Sequence, residues 1–247
     1  MRYVRRLNLD GEVQADLESR QADANHQRRE GALDVAANWQ TARQTRSLKL
    51  VLATLQQMMG ERQRCMYCLD SHGTDIDHFW PKKPFPDRMF VWLNLLLCCA
   101  ECGRFKGDEF PLANGQPLLI DPTMEDPWLH LDFDPLTGNI VAKFHSDRDD
   151  YSEKGSKTVE MLHLDQREAL AAGYQKTFRQ LARVVREVLS QSNTSVEHLI
   201  AALSEADDHG LPSWCFQGSG QNEPPFRDLR DKHGAVWVQC ANAFQEV

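Results

Sequence analysis

A chain of 247 residues, 41% hydrophobic and 26% charged, can bury a full core as one large domain or two small ones, and no apolar run approaches the ~20 residues of a membrane span. The net charge of −8 argues against a protein that coats nucleic acid by bulk charge; local binding stays open, because seven basic residues stand against six acidic ones between Glu61 and Lys106. Seven cysteines, four of them in Cys-x-x-Cys pairs, fit bound metal in a reducing cytoplasm better than a disulfide framework, and the basic start of the chain lacks the apolar stretch of a secretory signal.

Residues 11–59 contain no proline and are rich in helix formers. The half through Arg29 is so polar that it reads as a solvated or partner-facing helix. In the other half Leu48, Val51, Leu52, Leu55 and Met58 recur at helical spacing and face a core, with Gly60 as the stop. From Cys65 to Pro111 the pattern breaks into knuckles and short elements, with an irregular loop around Pro81, Pro84 and Pro86. Short strands are predicted at 118–121, 131–133 and 140–144, the last two joined by a turn at 134–138. Helices return at 153–162 and 165–190, and at 195–205, where Thr194 and Glu197 have capping-box spacing. Residues 210–225 read as a Gly/Pro loop and 226–244 as a last helix.

Cys65, Cys68, Cys99 and Cys102 supply the four thiolates of a tetrahedral zinc site. The segment between the pairs carries Asp77 beside His78, then a proline bend, then Asn94. A histidine can deprotonate a water at neutral pH, and a carboxylate can hold Mg²⁺ or Mn²⁺. Together they are parts for phosphodiester hydrolysis. Neighbours on a strand point to opposite faces, so both side chains serve one site only at a strand end, which Pro81 favours. An isolated Asp-His pair is usually structural; its position between two knuckles, followed by Phe79-Trp80-Pro81-Lys82, turns the reading toward chemistry. Cys98, Cys215 and Cys240 read as buried thiols outside the metal group.

The run Cys65-Met-Tyr-Cys68, Asp75-Ile-Asp-His-Phe-Trp-Pro-Lys82, Trp92-Leu-Asn-Leu-Leu-Leu97, Cys99-Ala-Glu-Cys102 and Lys106-Gly-Asp108 resembles the zinc-stabilised HNH nuclease motif. The wider stretch 64–179 resembles the HNH subunits of Septu-type anti-phage systems. The resemblance implies an α+β, mostly α fold, with a central ββα-metal module at 61–112. A helical region at 1–60 would precede it, and a short hairpin with C-terminal helices at 113–247 would follow. It implies a metal-dependent endonuclease acting on nucleic acid, DNA first and RNA as an open alternative. Zn²⁺ would be structural, Mg²⁺ or Mn²⁺ catalytic, and an ATPase the partner subunit, docking first at the polar helix before Arg29. Carried over, His78 is the general base, Asp77 the ligand of the divalent ion and Asn94 the brace of the loop carrying the base.

The chain departs from the motif at Gly103, where the family places its last His or Asn. Asp108 or Glu101 are substitutes for that ligand, and Lys106 can neutralise the phosphate. The competing class is therefore a catalytically weakened module that binds nucleic acid or a partner without cutting. Lys82, Lys83 and Arg104 are candidate phosphate contacts near the motif. Lys176, Arg179, Arg183 and Arg186 form a second basic stripe along one helix side.

Overall fold

The computed structural model describes residues 1–190 and 195–245. Contacts divide it into two compact units, Val4–Pro117, and Leu118–Val247 together with Met1–Tyr3. The fold is α+β and mostly helical, and its sheets among the described residues are two-stranded antiparallel pairs. No helix among them is long and apolar enough to cross a membrane.

In the first unit the proline-free stretch forms three helices, α1 (Gly11–Arg29), α2 (Val35–Ala42) and α3 (Arg46–Met58). Asp10 and Asp34 cap the first two by accepting from Glu12 N and Ala37 N, satisfying donors that a helix start leaves open. Leu48, Val51 and Leu55 are the buried positions of α3, as its periodicity predicts. The expectation of a solvated first helix is corrected: Val13, Leu17, Gln21 and Ala24 make a buried seam along α1. Charged residues on its other faces dilute the apolar signal.

The strand β1 (Asp75–His78) pairs antiparallel with β2 (Leu95–Cys98), setting His78 opposite Leu95 and Asp75 opposite Cys98. All four residues of β2 are buried, so this strand is covered on both faces, while β1 is buried only at His78. The helix α4 (Ala100–Lys106) follows directly. A small hairpin of β3 (Leu112–Ala113) and β4 (Gln116–Pro117) ends the unit. The proline-rich loop between β1 and β2 contains 3-10 turns at Pro86–Arg88 and Trp92–Asn94.

In the second unit, the predicted hairpin forms from β5 (Leu131–Phe133) and β6 (Ile140–Ala142). Its turn needs Gly138, with φ of 83°, because a Cβ there would run into the backbone carbonyl of Ala171. A further hairpin, β7 (Phe144–His145) with β8 (Asp150–Tyr151), carries no clear sequence signal. The helices are α5 (Glu153–Leu162), α6 (Glu168–Ser190), α7 (Val196–Ala206), α8 (Leu211–Gln217), α9 (Phe226–Lys232) and α10 (Gly234–Ala243). The ring of Phe133 lies 5.1 Å from Trp214 and 5.7 Å from Phe178, and the chain's amino terminus donates to the Tyr174 hydroxyl at 2.8 Å.

Three expectations are corrected in this unit. Residues 118–121 are not a strand: Leu119 and Ile120 are buried, but Ile120 N donates to the Thr158 hydroxyl at 3.1 Å instead of a neighbouring strand. The predicted loop 210–225 contains α8, whose Pro212 sits in the first turn, where a missing N–H costs nothing. The single last helix is broken at His233 into α9 and α10. Thr194 of the predicted capping box lies outside the described residues; Ser195 caps α7, accepting from His198 N at 3.3 Å.

Candidate functional site

The two cysteine pairs are presented by different local devices. The first knuckle is a tight turn in which Leu69 N donates to Cys65 O at 2.9 Å, with Leu69 at a φ of 55°. It docks on β2 through Met66 N to Leu97 O at 2.9 Å. The second pair opens α4: Cys99 is the N-cap, its Sγ accepting from Cys102 N at 3.4 Å. A helix N-terminus favours negative charge.

All four thiols are buried and their sulfurs lie within 4.8 Å of one another, with Cys68 and Cys99 at 3.9 Å. A tetrahedron with Zn–S bonds of about 2.3 Å needs sulfurs about 3.8 Å apart, so this donor set fits a zinc ion. Hydrogen bonding with Cys102 and Cys65 draws the Cys68 thiol down to about 6, while burial pushes the Cys65 thiol up. Such a group sheds its protons readily only beside a cation. Cys98 stands outside the group, its Sγ donating to Cys99 O at 3.0 Å. Cys215 and Cys240 are buried in the other unit.

His78 is the last residue of β1 and only 3% exposed. Its Nε2 lies 3.0 Å from Met89 O, and its ring packs edge-on against Trp39 with centroids 4.3 Å apart. A carbonyl can only accept, so Nε2 carries the proton and Nδ1 keeps the lone pair. Burial, then the positive charge of Lys82 and more weakly of Lys106, pushes the imidazole down to about 3 despite the Met89 carbonyl. It is therefore neutral across the physiological range.

The neighbouring Asp77 is engaged through one oxygen. Oδ2 accepts from the Tyr67 hydroxyl at 2.6 Å and lies 3.1 Å from Lys106 Nζ. Lys106 is fully buried and also donates to His78 O at 2.6 Å. A buried ammonium is tolerated when it is paired and hydrogen-bonded like this.

Asn94 is 3% exposed and ties the loop shut. Its Oδ1 accepts from Trp80 N at 2.7 Å, and its Nδ2 donates to Trp80 O at 3.0 Å and Arg88 O at 2.9 Å. Its own carbonyl accepts from Phe79 N at 2.8 Å. From the far side, Gln21 of α1 accepts from Phe90 N at 2.7 Å and donates to Pro86 O at 3.0 Å. Arg6 donates to the carbonyls of Trp92, Leu93 and Leu95 at 3.2, 3.0 and 2.7 Å. The loop that carries the Met89 carbonyl is thus held by the side chains of Arg6, Gln21 and Asn94.

Asp77, His78, Lys106 and Asn94 are therefore grouped on one hairpin, its loop and the following helix. Gly103 faces Cys98: a Cβ there would sit 3.0 Å from the Cys98 sulfur. Asp108 is exposed beyond α4, and among the described residues the cysteine cluster is the only group of three or more Cys, His, Asp or Glu side chains arranged to share an ion. Around Asp77 the structure offers a divalent ion one protein carboxylate, which suits an ion that keeps its waters. Lys83 and Arg104 are exposed and Lys82 is partly so. Lys176, Arg179, Arg183 and Arg186 are all exposed along α6, in the other unit.

Sequence reasoning missed Tyr67, Gln21 and Trp39. Gln21 had a signal: it is the polar member of the seam Val13, Leu17, Ala24 at helical spacing. Tyr67 and Trp39 had none, because their partners lie 10 and 39 positions away in sequence.

No protein-family model matches the chain. Over 112 residues it is 30% identical to the Septu protein PtuB of Bacillus thuringiensis. That similarity covers 43% of this chain and 38% of the relative, so the chain spans well under half of that protein's length.

Proposed function

We propose that the chain is a metal-dependent HNH endonuclease of anti-phage defence, with 61–112 as a zinc-stabilised ββα-metal module. The observation that carries this reading is the placement of His78 at the end of β1, its Nε2 held 3.0 Å from Met89 O and its backbone carbonyl tied to Lys106, the same lysine that pairs with Asp77. The hairpin β1–β2, the helix α4 and the four-sulfur cluster supply the frame, and the similarity to a Septu protein supplies the biological setting.

In this mechanism His78 Nδ1 takes a proton from the attacking water as its oxygen bonds to phosphorus and the bond from phosphorus to the leaving oxygen breaks. A divalent ion bound at Asp77 would neutralise charge building on the phosphoryl and leaving oxygens. Lys106 orients Asp77 and, through the His78 carbonyl, the end of the strand that carries the base. Asn94 holds the loop whose Met89 carbonyl fixes the imidazole tautomer. Lys82, Lys83 and Arg104 contact backbone phosphates, the α6 stripe adds a further basic surface, DNA is the first substrate, and an ATPase partner controls cutting.

The test is cleavage of plasmid DNA and of total RNA with Mg²⁺ or Mn²⁺, comparing the chain, with and without its partner, against His78→Ala. Loss of cutting with zinc and folding unchanged supports the reading; full cutting by His78→Ala rejects it. The binding-module reading is favoured by Gly103, which offers no side chain, and by the single carboxylate at the site. It wins if the unmodified chain binds nucleic acid and never cuts.

A further inference from the structure

We infer that Tyr67 is a positioning residue that fixes Asp77 as a one-oxygen ligand and ties it to the zinc knuckle; the inference rests on the proposed metal site at Asp77. Tyr67 lies between the zinc-type cysteines Cys65 and Cys68 and is fully buried. Its hydroxyl reaches out of the knuckle to Asp77 Oδ2 at 2.6 Å, short for a hydrogen bond and in the range of one to a charged acceptor. Lys106 Nζ approaches the same oxygen at 3.1 Å.

A carboxylate oxygen has two in-plane lone pairs. With both directions on Oδ2 taken, Oδ1 is left for an ion, and among the described residues no donor bonds Oδ1. The Asp77 side chain keeps 15% exposure, so the carboxylate is not sealed from solvent. The arrangement excludes two-oxygen chelation and sets the carboxylate's rotation before an ion arrives. It also runs from a sulfur cluster that folding holds rigid, across one phenol, to the carboxylate. The zinc cluster then orients the second metal site as well as holding the fold.

Tyr67→Phe removes the hydroxyl and keeps the ring. The experiment titrates Mn²⁺ into the zinc-loaded full chain, reads free Mn²⁺ by electron paramagnetic resonance, and measures zinc by mass spectrometry. The unmodified chain should bind Mn²⁺ in a way that Asp77→Asn abolishes. Tyr67→Phe should bind it about 10-fold or more weakly, as loss of an outer-shell partner typically does, with zinc content unchanged. Cleavage by Tyr67→Phe should need correspondingly more Mn²⁺ and approach the unmodified rate at saturation. Equal Mn²⁺ affinity in Tyr67→Phe overturns the inference while leaving the metal site standing. Loss of zinc from Tyr67→Phe also overturns it, because a hydroxyl that positions Asp77 is not needed to close the knuckle. If the unmodified chain binds no Mn²⁺ that depends on Asp77, the metal site and the inference both fail.

Discussion

The four-cysteine cluster and the Asp77–His78 pair share one hairpin and one helix, yet they are built by opposite rules. Each half of the cluster is local: one tight turn and one helix N-terminus each deliver two sulfurs, and the donors converge within 4.8 Å. The surroundings of Asp77 and His78 are assembled from four separate pieces: α2 supplies Trp39, the loop supplies Met89 O, the knuckle supplies Tyr67 and α4 supplies Lys106. A structural metal needs only ligands at the right spacing. A reacting group needs its tautomer, charge and direction set, and each of those takes a partner from elsewhere.

The comparison breaks most sharply at the sulfurs. Cys65→Ser or Cys102→Ser should release zinc and unfold the unit Val4–Pro117, since binding of a structural zinc is worth roughly 10 kcal/mol or more. Metal analysis with circular dichroism checks this, and a zinc-free variant with unchanged unfolding would refute it. Chelation of the unmodified chain should reproduce the same loss.

Next in size is Lys106→Met. It removes the cation from a buried pair and leaves Asp77 with Tyr67 as its one remaining Oδ2 partner, so destabilisation of about 3–5 kcal/mol is expected. Adding Asp77→Asn should return part of that, a coupling that urea unfolding of the two single variants and the double variant measures. Strict additivity would mean that the two groups do not interact.

Asn94→Ala strands three backbone groups, Trp80 N, Trp80 O and Arg88 O. A cost of about 2–3 kcal/mol is expected, because buried polar groups left without partners are expensive. Its distinguishing sign is faster amide exchange in the loop 79–94 with zinc retained. If exchange rises equally across the whole unit, Asn94 is a general stability residue and not a brace.

The smallest effect is at Gly103. Gly103→Asn should cost about 1 kcal/mol, since its Cβ presses on the Cys98 sulfur at 3.0 Å. Cys98→Ala in the same chain should recover most of it, read as non-additive midpoints in urea. In that relieved background the restored amide should lower the Mn²⁺ concentration needed for cleavage; an unchanged requirement would show that position 103 does not face the ion.

Much of this organisation was legible in sequence. The cysteine spacing marked the cluster, Leu48, Val51 and Leu55 marked the inner face of α3, and the turn 134–138 marked the β5–β6 hairpin. Other features were hidden by composition. Gly210, Pro212 and their neighbours look like a loop, yet Pro212 suits the first turn of α8. The charges of α1 disguise a seam in which Gln21 is buried because it has backbone partners waiting in the loop. Residues 118–121 are apolar enough for a strand, but Thr158 meets Ile120 N where a neighbouring strand would have done so.

The sequence by itself determined which residues could hold zinc and which pair could do acid–base work, because ligand chemistry depends on residue type and short spacing. Only the tertiary structure decided that Asp77 keeps Oδ1 outside its hydrogen bonds, that His78 is neutral with its proton on Nε2, and that Gly103 is filled by the Cys98 sulfur. Those states follow from burial and from partners that only folding brings into contact, and neither is fixed by residue type and spacing alone.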